Sequence, residues 1–349
     1  MQIQSINEFL RQAGFKYVVC DMGRRMVRLT PQQFNQFENG VLTYPTPLQQ
    51  HAWLGLLGWQ EEDKSHHFIW FIKLPLDELG KINSLARDDL LHYLVNQLGQ
   101  RLLATEDEAD STTASTALPH GFAPGEERMA MFHAKAARLL GQPPSRFYTH
   151  ARDYLSGTQG YDQWAFVGMQ GLADVIARLQ QEDNLDRLQQ ALPQLPSQPF
   201  GQVCRFLEHE NISPELATTL INRARYNGTP ESSRDDLVAT IRALAGCTAS
   251  QLRQSLIRQV LAEPYGTDIE ILAAISGRCW EDLQEGEICR LFIECLARNT
   301  QGQSGFAHLL KDLLAIPGMR QPIMQGLRDP NRSEALAQAM GQFFKQLGA

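Results

Sequence analysis

The sequence predicts two folds in series. The first is an α+β N-terminal domain, an antiparallel sheet with helices, over residues 1–103. The second is an all-α, irregular helical-repeat domain of the HEAT-like solenoid kind over residues 126–349, so the chain is mostly α overall. Three observations carry this expectation. Runs rich in β-branched and aromatic residues occur only ahead of Leu76. Between residues 104 and 125 the chain turns acidic, then Ser/Thr-rich, then Pro/Gly-punctuated. Beyond Glu126 apolar residues recur at helical spacing, interrupted by Gly, Pro or Asn-Gly. A length of 349 residues is also more than one hydrophobic core ordinarily serves.

The elements follow in order. In "SINEFLRQAG", Ser5 and Glu8 form a capping box and Gly14 is a stop, which marks a short helix. Two β-rich runs, Phe15–Asp21 and Met26–Thr30, flank the Met22-Gly23 turn. Pro31 through Glu38 reads as a second short helix closed by Asn39-Gly40. A second hairpin follows, "HAWLGLLGWQ" and "HHFIWFIKLPL" around the acidic loop "EEDKS", with His66 and His67 both in its second strand. Trp70 and Phe71 in that strand face opposite ways. Ser84 then caps a long helix with Leu85, Leu90, Leu91, Leu94, Val95 and Leu98 spaced by threes and fours. Helix, hairpin, helix, hairpin, helix implies a four-stranded antiparallel sheet with helices on one face.

Residues 104–125 have too few apolar side chains to bury a core and read as a flexible linker. Past Glu126 the helix starts are legible. Ser213-Pro214 places a cap before proline in the first turn. Thr248 precedes the stripe Leu252, Leu256, Val260 and Leu261. Thr267 and Glu270 make another capping box, and Ser333 opens the last helix. Paired helices give units such as 213–246, 248–277 and 279–316, at or just below the length of helical repeats. No signature recurs inside the units, so length alone supports the repeat reading.

The formal net charge is −7. Residues 1–103 carry ten basic and ten acidic side chains, whereas 104–128 carry one arginine against six acids. The excess negative charge therefore sits in the linker, and nucleic acid is a disfavoured partner. The opening "MQIQSINEFLRQ" has neither a basic n-region nor an apolar run. No apolar stretch approaches the roughly 20 residues of a membrane span, so no membrane partner is expected. The six cysteines are scattered rather than dense, which fits a reduced cytoplasm.

Motif searches end in near misses. Gly302-Gln303-Ser304-Gly305 resembles a nucleophile elbow, but Phe306 replaces the final glycine and no strand precedes it. Phosphate-binding glycine runs are missing. Cys279, Cys289 and Cys295 are spaced too widely for a zinc clip. The run Glu106, Asp107, Glu108 and Asp110 lacks the alternation and glycine of a calcium loop. No catalytic residue, cofactor or metal is called for.

The sharpest functional question is raised by "CDMGRRMVRLTP", which places Arg24, Arg25 and Arg28 within five positions. Extending the strand alternation back through the turn puts Arg24 on the Arg28 side and Arg25 on the Val27 side. Two guanidiniums about 7 Å apart along one face could grip a phosphate or carboxylate. The same charges would equally keep an open edge strand soluble. A second arginine set, Arg223, Arg225, Arg234, Arg242, Arg253 and Arg258, falls on three successive helices, where one face of a solenoid could present it to an acidic partner. Arginine outnumbers lysine by 25 to 7, which codon bias or a demand for fork-shaped donors would both explain.

The opening "INEFLRQAGFKYVVCDMGRRM", with the total length and the helical second half, resembles a bacterial family catalogued as domain of unknown function 3549. "DMGRRM" is the part that looks most like a family signature. The resemblance implies a bacterial cytoplasmic protein without an assigned activity, and it transfers no catalytic residue. The expected function is a non-catalytic adaptor or scaffold that binds another protein through the helical-repeat body, the N-terminal hairpin or both. The alternatives are an enzyme or small-molecule sensor with a site in the first domain or between domains, and nucleic-acid binding through Arg24, Arg25 and Arg28.

Overall fold

The structure is a computed structural model that describes residues 3–101, 118–225 and 230–347. The chain divides into two compact units, one running to Gly125 with Ala315–Pro317 assigned to it, and the other covering Glu126–Leu314 and Gly318–Ala349.

The first unit contains α1 (Ile6–Gln12), β1 (Phe15–Asp21), β2 (Val27–Leu29), α2 (Pro31–Glu38), β3 (His51–Gln60), β4 (His67–Pro75) and α3 (Ser84–Arg101). The strands form one antiparallel sheet in the order β2-β1-β3-β4. Register places Val19 between Leu29 and Leu56, and Leu56 beside Trp70. This face is the main core. Val19, Leu29, Leu54, Leu56, Ile72 and Leu74 are buried there together with side chains of all three helices, among them Ile6, Phe34 and Leu90. Each such side chain contributes roughly 1.5–3 kcal/mol of transfer free energy before entropy is subtracted. Phe68 and Trp70 pack on the same face with ring centroids 4.2 Å apart, while Phe71 lies on the other face against Phe122. Gly58 makes room for this arrangement, since a Cβ there would come 2.2 Å from the Phe68 ring.

Several local expectations are corrected. β2 stops at Leu29 because the Thr30 side chain turns to cap α2, in a full capping box with Gln33. His66 lies outside β4, where the Asp63 carboxylate holds it through Nδ1 at 2.6 Å. The cap of α3 is Asn83 rather than Ser84, its Oδ1 accepting from the Ala86 N–H at 3.2 Å. Of the segment read as a linker, residues up to 117 lie outside the described residues. Residues 118–122 run along β4: Leu118 joins the core, Lys73 N–H donates to the His120 carbonyl, and Phe122 N–H donates to that of Phe71.

The second unit has thirteen α-helices among the described residues. They are α4 (Glu126–Leu140), α5 (Tyr148–Leu155), α6 (Met169–Ala177), α7 (Asn184–Ala191), α8 (Ser197–Leu207), α9 (Pro214–Arg225), α10 (Pro230–Ala243), α11 (Ser250–Ala262), α12 (Ile269–Arg278), α13 (Gly286–Ala297), α14 (Gly302–Leu314), α15 (Arg320–Leu327) and α16 (Glu334–Leu347). Neighbours fall into two ranks. α8, α10, α12, α14 and α16 pack each on the next, and so do α9, α11, α13 and α15. The cap of α12 is Asp268, whose carboxylate accepts from Glu270 and Ile271, so the Thr267–Glu270 box does not form. Among the described residues no helix is long and apolar enough to cross a membrane.

Candidate functional site

The three opening arginines are not gathered on one face. β1 ends at Asp21 and the chain turns before β2 begins at Val27, so strand alternation does not reach Arg24. The turn is sewn inward instead. The Asp21 carboxylate accepts from the Gly23 N–H at 2.8 Å and from the Thr46 hydroxyl. Arg24 is fully buried, and its Nε and Nη2 lie 3.1 and 2.7 Å from the Pro47 carbonyl. Tyr44 is buried beside the same carboxylate, and burial foremost, then the Asp21 charge, raises its phenol well above the usual range. Arg25 is half-buried. Arg28 is exposed in β2, opposite Cys20. A buried guanidinium committed to a loop carbonyl positions the turn, and Arg28 is the member of the set that solvent reaches freely.

The six arginines of the second set are drawn into bonds within the helical unit. Arg223 donates to the Leu195 carbonyl at 2.8 Å and faces Asp236. Arg225 bonds Gln259, Arg234 pairs with Asp235, and Arg258 with Glu285 and Glu287. Arg253 grips Asp282. Arg242 of α10 and Arg278 of α12 converge on Glu208, at the end of α8, at 2.7 and 3.1 Å. Burial opposes the ionisation of Glu208, but Arg278, His209 and Arg242 more than offset it and hold the carboxyl at about 2. Burial pushes neighbouring His209 down to about 3 against the pull of that carboxylate. An ionised Glu208 beside a neutral His209 fastens three helices together; neither group changes protonation near neutral pH.

These bonds leave an open groove of about 980 Å³ along α8, α10 and α12, closed at one end by the turn at Thr300 and Gln301 ahead of α14. Gln198, Arg205, Arg234, Val238, Asp268 and Gln301 are among the residues lining it. Its rim mixes both charge signs with hydroxyl, amide and small apolar groups. Among the described residues no three His, Cys, Asp or Glu side chains are grouped to hold a metal ion.

The chain matches the model of a family described as protein of unknown function (DUF3549) over residues 1–344. It belongs to the DUF3549 family. No curated protein and no solved structure matches the chain. The signature-like opening of this DUF3549 member is thus a structural turn around Asp21 and Arg24. Sequence reasoning did not single out Tyr44, Thr46 or Glu208. Asp21, a lone acid at the end of an apolar strand, was the one legible sign that a buried polar knot lay there.

Proposed function

We propose that this DUF3549 chain is a non-catalytic cytoplasmic adaptor whose helical-repeat body binds another protein along the groove of α8, α10 and α12. The observation that supports this most is the groove itself. Three successive helices of one rank, α8, α10 and α12, line it together with the turn at Thr300 and Gln301, and it offers both charge signs and amides around Val238 and Ala239. A polar rim around small apolar patches suits an interface that forms and dissociates. Stacked helical pairs present extended surfaces of this kind. The exposed Arg28 on the opening hairpin is a second contact in this reading.

Site-specific photocrosslinking tests the reading. A photoreactive residue at Gln198 or Gln301, in the groove, is expected to trap one discrete protein in the native cytosol. The same residue at Thr218 or Arg290, exposed on the other rank, should not. Equal adducts from both ranks, or none from the groove, would remove the adaptor reading.

A further inference from the structure

We infer that the open edge of β1 at Phe15–Val18 takes up an extended, acidic segment of a partner protein as an added strand. β1 is paired over all seven residues by β3, but β2 covers only Val19, Cys20 and Asp21 on the other side. β2 cannot continue, because Thr30 leaves the sheet to cap α2. The N–H and C=O groups that Phe15–Val18 turn away from β3 therefore have no backbone partner among the described residues. This free edge is about 13 Å long, room for a short strand in line with β2.

Beside the edge lies a groove of about 760 Å³ between α1 and α2. Asn7 and Arg11 of α1 face Gln32, Asn35 and Gln36 of α2 across it, and Phe15, Lys16 and Tyr17 line it from the strand. The lining holds two cations, Arg11 and Lys16, and no acid. Arg11 is exposed and makes no ion pair among the described residues, while Lys16 has a solvent-exposed bridge to Glu61 at 3.4 Å, of little strength. The free backbone selects an extended chain, and the two cations select an acidic one. An edge lysine discourages strands of apolar or basic character without repelling an acidic strand. The inference concerns the first unit and does not rest on the groove of the helical unit.

The test uses the full chain and capped peptides of about eight residues, alternating Val with Glu or Asp. Controls are a peptide with Lys at the acidic positions and two peptides N-methylated on alternate residues, one for each strand edge. Fluorescence anisotropy reads binding. The acidic peptide should bind, and one N-methylated register should abolish binding while the other keeps it. Arg11→Glu with Lys16→Glu should weaken binding by about tenfold or more. Amides within Phe15–Val18 should gain hydrogen-exchange protection in the complex. Both side chains are exposed, so the variant should keep its fold, and Lys16→Gln with Arg11→Gln gives a milder second variant. Equal binding of the Lys peptide, equal binding of both N-methylated forms, or no binding up to about 1 mM overturns the proposal.

Discussion

Arg253 of α11 holds the Asp282 carboxylate with two sides of its fork: Nη2 lies 2.9 Å from Oδ1, and Nε is hydrogen-bonded to Oδ2. Its Nη1 reaches the Leu244 and Ala245 carbonyls just beyond α10, at 3.4 and 3.3 Å. Both side chains are almost sealed from water. One guanidinium thus joins three helical segments, and removing either partner strands a buried charge. Arg253→Met or Asp282→Asn is expected to cost about 3–5 kcal/mol. The double change Arg253→Met with Asp282→Leu should recover most of it. Urea unfolding followed by the fluorescence of nearby Trp280 measures this; a double variant no better than the singles would reject the argument.

The two ends of the opening arginine cluster should behave differently. Arg24→Ala removes a buried side chain and leaves the Pro47 carbonyl without that donor, at a cost of about 2–4 kcal/mol. Arg28→Ala changes an exposed strand position and should stay within about 0.5 kcal/mol. Thermal unfolding with Trp53 as reporter compares them directly. Equal losses would mean that the turn is not organised around Arg24.

Regular elements were readable because each residue in them votes locally. β1 runs from Phe15 to Asp21 and α2 from Pro31 to Glu38, as alternation and the Asn39-Gly40 stop imply. The helix pairs beyond Ser213 follow the Gly and Pro breaks in the same way. Caps slipped by one position, Asn83 for Ser84 and Asp268 for Thr267, because adjacent residues were both good cap formers and backbone geometry chose between them. Buried charges were illegible for a deeper reason. Glu38 meets Ile6 and Asn7, Arg24 meets Pro47, and Glu208 meets Arg242 only after the fold has brought distant segments together. Read alone, a charged residue looks solvated. Residues 118–122 looked like linker because order there comes from pairing with β4, not from their own composition.

Two glycines of the helical unit should respond to alanine with opposite signs. At Gly246 a Cβ would sit 1.9 Å from the Glu210 carbonyl oxygen, a backbone atom that cannot swing aside. The Gly246 carbonyl also accepts from the Ile212 N–H at 3.1 Å, which fixes the approach. Gly246→Ala should therefore destabilise by about 2 kcal/mol or more. Gly277 lies in α12 with open space where its Cβ would be, and Gly277→Ala should stabilise by about 0.5–1 kcal/mol through helix propensity. Urea midpoints of the two variants separate the cases.

Glu38 gives the first unit a pH dependence of unusual sign for a carboxylate. It is buried at the end of α2, and its two oxygens accept from the Ile6 and Asn7 N–H groups at 2.8 and 3.0 Å. Burial raises its pKa to about 7, outweighing those two hydrogen bonds and the charge of Arg87. A folded-state pKa above the unfolded value means that the folded state binds the proton more tightly. The associated stability is fully present below about 4.5, declines as pH rises, and is lost once pH passes about 7. The Glu38→Gln variant keeps the size of the side chain but cannot titrate, so its unfolding free energy should lack this component. The difference between the parent chain and Glu38→Gln should therefore drift in favour of the variant from about pH 4.5 to pH 7 and then level off. Urea unfolding across that range measures it. A flat difference, or a drift toward the parent chain, would show that the N–H groups of α1 stabilise the charge more than burial penalises it.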